Sequence, residues 1–479
     1  MDIIKKVFST RIAMFVIIAV ALMTFSFFQN ITTFPQDAYN YWHGADSVFN
    51  NGFNILYFPS TFRGCLFQIL VGMIKHIVIG LGIPDYWGWR FLMSIMISGI
   101  LVYAFPTIFK KTSPIGWTAY LTNAIFILIL IIFWGDFIQY PLSDLPACAF
   151  LIAGIAILVW VKDKPNRIHK IIGGIIAGAL LYAAYNTRVA FLYGVLIAVI
   201  VFTIYIMREK SYRNFLVLIS LIIGMSLTAA PQMMINHEYV GSWSPKVYTE
   251  SFTGYQKRLE ELQIFWGLHY PRYETYLGNE EDFPSQSVYF VDHIGSKIVE
   301  REGITKEEFS YITIIKLFLK YPLDIGGLYI RHLISLMTPI FNQIFITDLH
   351  TGKGIFISLA IILWLIAAVD ILLDYKNKFD NLTLCMLTAM VFPALLQLAG
   401  APELRFFLIV YLLLYYYVSN VIDYKKLFQS IKRRWMPILI VCTAVYFMWI
   451  SYVGMLLSSN SETVFLINDN HYECFSEIE

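Results

Sequence analysis

Charge is what this sequence has least of. Asp, Glu, Lys and Arg make up 14% of its 479 residues, against about a quarter in soluble domains. With 58% hydrophobic residues and a mean hydropathy of +0.63, most of its surface must face something other than water. Cysteine is also scarce. Cys65, Cys148, Cys385, Cys442 and Cys474 form no CxxC pair, which argues against a zinc or redox framework and leaves small core hydrophobes as the reading for those in apolar runs. No Gly-rich phosphate loop interrupts the short basic loops, so a cytosolic ATP or nucleotide-sugar site is not expected. The net charge of +2 gives no sign of nucleic-acid binding, and no internal repeat shows.

What the sequence has instead is apolar runs of the length that crosses a bilayer core as a helix, about 20 residues. Between them lie basic clusters: Lys5, Lys6 and Arg11; Lys110 and Lys111; Lys162, Lys164, Arg167 and Lys170; Arg208, Lys210 and Arg213; Lys376 and Lys378; and Lys425 to Arg434. By the positive-inside rule these share the cytoplasmic side, so an even number of crossings separates each from the next. That parity decides two ambiguous stretches. Residues 66–82, "LFQILVGMIKHIVIGLG", are apolar enough to cross, but a crossing there would put every later cluster outside. They are read as an interfacial helix, with Lys75 and His76 reaching toward headgroups. Residues 314–341 carry Lys316, Lys320, Asp324, Arg331 and His332 and are broken by Pro322, Gly326 and Gly327. Those charges are costly at mid-bilayer, so two interfacial helices are expected.

The expected spans are 11–30, 87–109, 115–134, 144–161, 170–186, 189–207, 214–234, 354–373, 381–399, 404–422 and 436–457. The first is read as a retained span because no small-residue cleavage site follows it. The fold expected is an all-α transmembrane bundle of about eleven spans, with the N-terminus inside. Residues 31–86, 235–353 and the tail are then outside.

The outer side carries the residues with chemical potential. Asp37 lies in "FPQDAYNYWHG", among Phe34, Tyr39, Tyr41 and Trp42 at a membrane boundary. A partly desolvated carboxylate there is suited to take a proton from a hydroxyl. The alternative is an aromatic belt with Asp37 capping a short helix. Asp136 and Asp144 follow in "GDFIQYPLSDLPA"; Asp144, favoured of the two, is either a cap or a second acid. Arg63, Arg188 and Arg405 stand in outer loops, Glu403 beside Arg405. Guanidinium groups grip phosphate oxygens in pairs, so convergent arginines suit a lipid-linked phosphate. Independent snorkelling, or a Glu403–Arg405 surface pair, is the alternative. His237, His269 and His293 in the large outer segment show no metal-ligand spacing, and neither a metal nor another cofactor is expected.

In order along the chain, "PQDAYNYW", "YFPSTFRGCLFQILVGMIKHI", "YPLSDLPACAFLIAGIAIL", "IIGGIIAGALLYAAYNTRVAFLYGVLIAV" and "APELRFFLIVYLLLYYY" resemble the motifs of the GT-C superfamily of integral-membrane glycosyltransferases. That group includes the protein O-mannosyltransferases and aminoarabinose transferases. Two departures stand out: Ala38 follows Asp37 where relatives often have a second acid, and Arg63 lacks a double proline. The resemblance covers most of residues 10–425 and implies a GT-C-like module over 1–425, with 426–479 a last span and short outer tail. It also implies inverting transfer of a sugar from a polyprenyl-phosphate donor to an acceptor hydroxyl at the outer face of a bacterial plasma membrane. The acceptor would be a cell-surface glycan, lipid or protein. Asp37 would be the general base, Arg188 and Arg405 would hold the donor phosphate, Arg63 would help either substrate, and Asp144 would orient the acceptor or share the base role. Two rivals are an O-antigen polymerase or ligase-like enzyme and a lipid-sugar flippase. The large first outer loop and the placing of charges at span ends, without repeated halves, speak against them.

Overall fold

The computed structural model describes residues 10–29, 31–58, 64–110, 117–209, 212–248, 259–277, 286–341, 343–346, 354–433 and 435–458, and the backbone of 464–468 and 471–474. It is a polytopic bundle of apolar helices. In chain order these are α1 (Arg11–Gln29), α2 (Gln36–Phe49), α3 (Cys65–Gly80), α4 (Tyr86–Ile108), α5 (Trp117–Trp134), α6 (Asp144–Lys162), α7 (Arg167–Thr187), α8 (Val189–Arg208) and α9 (Tyr212–Val240). The segment expected to lie outside follows with α10 (Leu259–His269), α11 (His293–Glu302), α12 (Tyr311–Lys320) and α13 (Pro322–Leu336). The last helices are α14 (Gly354–Lys378), α15 (Asn381–Ala399), α16 (Leu404–Val421), α17 (Tyr424–Arg433) and α18 (Trp435–Ser458).

Among the described residues, ten helices are long and apolar enough to cross a membrane: α1, α4, α6 to α9, α14 to α16 and α18. Each matches an expected span within three residues at its ends, except that α9 and α14 run on to Val240 and Lys378, past the expected ends at 234 and 373. The remaining expected span is the apolar helix α5, whose stretch Thr118–Trp134 is shorter than those ten. It runs antiparallel to α16. Thr122 donates to Asn420 at 2.7 Å, and Trp134, toward the other end, donates to Tyr415 at 2.9 Å.

The parity expectation has a geometric counterpart. Arg11, Lys110, Asp163 and Lys164 line one cavity, and Lys110 pairs with Asp380, so these loops meet at one end of the bundle. Asp37, Ser143, Asp144, Arg188, Glu403 and Arg405 meet at the other, through the contacts described below. The tail belongs with the outer segment, because its strands join a small sheet that the sequence reading did not include. The sheet is β1 (Arg272–Tyr276), β2 (Gln286–Phe290), β3 (Phe345–Ile346), β4 (Val464–Asn468) and β5 (His471–Cys474), in the order β3-β1-β2-β4-β5. Only β3 runs parallel to its neighbour.

Helix α3, at 16 residues, is shorter than the ten candidate spans, but one expectation about it is corrected. Lys75 does not reach for headgroups. It is buried, with both Asp46 oxygens at 2.8 and 2.9 Å and the Trp42 ring at 4.6 Å. A nearby carboxylate and an aromatic face hold the ammonium better than the interface would. His76 likewise turns inward, 4.8 Å from the Phe49 ring. The two interfacial helices expected over 314–341 are α12 and α13, broken at Tyr321–Pro322. Ile312, Ile315, Leu319 and Leu323 stand exposed along them, apolar surface of the kind a membrane interface covers. Of the cysteines read as core hydrophobes, Cys148 is buried but Cys385 is exposed on α15.

The start of α3 is fixed by side chains from two spans. Gly64 supplies no capping group, so the first free amides of the helix turn elsewhere. Leu66 N–H donates to Asn186 at 2.9 Å and Cys65 N–H to Gln232 at 3.2 Å. Asn186 also donates to Gln232, and Gln232 donates to Asn236. The backbones come so close that a Cβ on Gly64 would lie 1.7 Å from the Asn186 carbonyl oxygen. This buried network sets the backbone two residues before Arg188. Helices α7 and α9 in turn meet backbone to backbone, since a Cβ on Gly178 would lie 2.1 Å from the Leu221 oxygen.

Sidedness follows from the basic loops. In a background without native cysteines, a probe at Lys297, exposed on α11, should react with an impermeant maleimide in intact cells. One at Pro165, in the turn after α6, should react only after lysis. The reverse pattern would invert the orientation and put the Asp37 end in the cytosol.

Candidate functional site

Five ionisable side chains, from four widely separated parts of the chain, gather at the end of the bundle opposite the basic loops. Arg405 comes from the short turn that opens α16, after a backbone that is extended at Gly400 and Glu403. Its Nε donates to Glu403 Oε2 at 2.6 Å and its Nη2 to Asp37 Oδ2 at 3.0 Å. Tyr273, on β1, donates its hydroxyl to the same Glu403 oxygen at 2.8 Å. Arg188, in the turn between α7 and α8, forms an ion pair with Asp144 at the start of α6. The two guanidinium groups are neighbours, 4.5 and 5.8 Å from the ring centroid of Phe406. Tyr41, one turn beyond Asp37, meets Ser143 at 3.0 Å and so joins α2 to the start of α6.

Exposure separates the carboxylates. Asp144 and Glu403 side chains are each 3% exposed, whereas Asp37 is 32% exposed. An incoming molecule can therefore touch Asp37, while Asp144 and Glu403 are committed to their arginines. The cap reading of Asp37 is corrected: Pro35 holds the N-cap position, and Asp37 sits in the first turn of α2, where the helix dipole favours negative charge. The cap reading of Asp144 is corrected too. Ser143 occupies that position without a side-chain capping bond, and Asp144 serves Arg188. The Glu403–Arg405 pair exists, but it is buried rather than a surface contact. Arg63 lies outside the described residues.

Electrostatics explain how tightly the cluster is balanced. Burial, and then the neighbouring Arg405, pull the Arg188 guanidinium down to about 10. Three carboxylates, Asp37, Asp144 and Glu403, face two arginines, so the five groups sum to −1 when all are ionised. Behind them, Glu274 on β1 pairs with Arg272. Arg272 also donates to the carbonyls of Ser335 and Thr338 at 2.8 and 2.7 Å, which locks β1 to the end of α13. Burial lifts the Glu274 carboxyl to about 7, outweighing the Arg272 guanidinium. Asp136 accepts from Ile344 N–H at 2.9 Å, and burial raises it to about 6. A narrow cleft lined by Trp134, Glu274, Gln343, Glu403 and Arg405 runs beside the ion pairs.

Sequence reasoning singled out Asp37, Asp144, Arg188, Glu403 and Arg405, and these come together. It assigned no role to Tyr273, Glu274 or Phe406. The only available signal was "PRYETY", in which Arg272 and Glu274 flank Tyr273, so that a strand places the two charges on one face. His237, His269 and His293 do not enter the cluster. Among the described residues, no three His, Cys, Asp or Glu side chains gather as a metal site.

The fold and the site define a multi-pass α-helical membrane protein with a charged cluster at one end. No family model, curated protein or solved structure matches the chain.

The Asp144–Arg188 pair should behave as a buried ion pair. Asp144→Asn leaves Arg188 without its counter-charge and should cost about 3 kcal/mol, read as a fall in Tm in detergent. The paired change Asp144→Leu with Arg188→Met should recover most of that loss. A second expectation concerns pH. A carboxyl raised on folding adds stability that is fully present below its unfolded value and is lost as pH rises through its folded value. Glu274 therefore predicts a fall in Tm between about pH 5 and about pH 8. Glu274→Gln should flatten that slope whatever it does to Tm itself.

Proposed function

We propose that this protein is a membrane glycosyltransferase that moves a sugar from a polyprenyl-phosphate donor to an acceptor hydroxyl at the outer face of the membrane, with inversion. The observation that carries the reading is the meeting of Asp37 with Arg405 and, beside it, Arg188. The first outer loop and the last outer turn are 368 residues apart in sequence, yet they share one ion pair. A transferase of this kind needs a base facing the acceptor and cations facing the departing phosphate, within one reach.

Asp37 is the base in this reading. Its carboxylate is the most exposed of the three and so the one an acceptor hydroxyl can reach. Arg405 is the cation for the donor phosphate. Because the five charges already sum to −1, the donor phosphate enters by taking a share of the Arg405 fork from Asp37. That exchange frees Asp37 to bond the acceptor hydroxyl only when donor is present. In the displacement, the acceptor oxygen forms a bond to the anomeric carbon on the face opposite the phosphate. The carbon–oxygen bond to phosphate breaks, the phosphate keeps the electron pair, and Asp37 takes the hydroxyl proton. Arg188, held by Asp144, adds positive potential to the leaving group without direct contact. Glu403 and Tyr273 are positioning residues that hold Arg405.

A second reading is favoured by the same charge balance: the pairs form a structural lock that ties α2 to α16 and perform no chemistry. Asp37→Asn separates the two. It preserves size but removes basicity, so the transferase reading expects turnover to fall by about 10²–10⁴ with donor binding intact. The lock reading expects a loss of at most about 1 kcal/mol in stability and unchanged transfer. Transfer from a labelled prenyl-phosphate sugar by the purified variant, beside its Tm, measures both. Arg405→Lys is the companion variant. An ammonium cannot reproduce the fork, so activity should drop even though the charge is kept. Full turnover of either variant at limiting donor would remove the catalytic assignment.

A further inference from the structure

The end of the bundle remote from Asp37 carries a second polar construction that the transferase reading does not use. A cavity of about 300 Å³ lies where three helix ends meet. Arg11 comes from the start of α1, Pro106 and Lys110 from the end of α4 and its turn, and Trp160, Asp163 and Lys164 from the end of α6 and its turn. That volume is at the small end of the range for ligand sites.

The wall is cationic and incompletely neutralised. Arg11, Lys110 and Lys164 face one carboxylate, Asp163, which lies 3.8 Å from Lys162 outside the lining. Lys110 is held in place by its pair with Asp380 and by a backbone at φ +49°, an uncommon conformation for a residue with a side chain. The Lys164 ammonium stands 4.7 Å from the centroid of the Trp160 ring. Among the described residues, Arg11 and Lys164 have no carboxylate partner. Three cations brought to one cavity repel each other, and an anion between them relieves that repulsion. A guanidinium offers a paired grip on phosphate oxygens, and the two ammonium groups add point charges from other directions.

The setting narrows the ligand. The cavity sits at the ends of apolar helices, at the level where lipid headgroups lie, and Pro106 and Trp160 give it an apolar side. Trp160 is 40% exposed, as an interfacial aromatic is. Basic pockets between transmembrane helices are recognised seats for anionic headgroups. We infer that this cavity binds a phosphate group, as the headgroup of an anionic lipid or as free phosphate. The inference does not depend on the transferase reading, since none of these residues belongs to the Asp37 cluster.

The test uses the full chain in neutral detergent at fixed ionic strength, with Tm as the readout. A ligand that binds only the folded state raises Tm in a saturable way. Short-chain phosphatidylglycerol should do so, and phosphatidylcholine of the same chain length should not. The double variant Arg11→Gln with Lys164→Gln should weaken the apparent affinity about tenfold or more. Its Tm without lipid should match that of the parent, because neither side chain has a carboxylate partner among the described residues. Should the double variant melt early, Lys164→Gln alone is the second measurement, with an expected loss of about fivefold. Inorganic phosphate distinguishes the sources. If it gives an equal shift that the same variants abolish, the ligand is free phosphate; if it gives none while phosphatidylglycerol does, the ligand is the lipid. Equal responses to the two lipids, or an undiminished response to phosphatidylglycerol and phosphate in the variants, would overturn the proposal.

Discussion

The guanidinium of Arg405 holds Asp37 and Glu403 together, and the end of the bundle is arranged so that it can. An unpaired charge at the edge of a low-dielectric slab is costly, so each ionisable group there must find a partner or reach water. Arg405 finds two partners, which fixes the first loop against the last spans. The neighbouring Arg188 is answered in the same way by Asp144. Phe406 fills the space beside both guanidinium groups. Tyr273 reaches in from the sheet to bond Glu403, and this ties β1 to the cluster. Removing Arg405 takes this cation from both Asp37 and Glu403, and removing Asp144 takes the carboxylate from Arg188.

Two kinds of contact place that cluster. The spans beneath it pack closely, with Gly178 letting α7 and α9 touch at their backbones. Above them, side-chain amides stand in for helix caps. Asn186 and Gln232 accept the first free amides of α3, so this shorter helix is anchored to two of the long apolar ones. Arg188 follows two residues after Asn186 and inherits its position. On the far side, Arg272 bonds the carbonyls that end α13, and Asp136 accepts the amide of Ile344 just before β3. The sheet is thereby fastened to the bundle by buried charges, beside an apolar cluster in which Val288, Phe290 and Ile346 join Ile357, Ile361, Val453 and Leu456.

The molecule is electrically polarised along the bundle. At one end, carboxylates outnumber arginines in the described cluster. At the other, Arg11, Lys110 and Lys164 outnumber Asp163 around a cavity. The two ends are built differently as well as charged differently. Where Asp37 lies, the cations are already matched and little space remains. At the basic end the cations are left partly unmatched, and the space is there.

The sequence by itself determined the helical, membrane-spanning architecture and nearly all of its span boundaries. Runs of apolar residues report on the bilayer directly, and the basic loops between them impose an even count of crossings. That count, with the cost of charges at mid-bilayer, led to the reading of α3 and the α12–α13 pair as interfacial helices. The chemistry-bearing residues were legible as types at span ends, because charge there must have a reason. Partnership was decided only by the tertiary structure. Asp144 reads equally well as a cap, and only the fold brings Arg188 to it. Lys75 reads as a headgroup anchor, and only the fold brings Asp46 and Trp42 over it. Tyr273 and Glu274 carry only the weak local signal of "PRYETY", because their roles depend on a sheet whose strands come from residues 272 to 474. Hydropathy is a sum over neighbours in sequence, whereas an ion pair needs two groups close in space, and nothing in a run of residues states that distance.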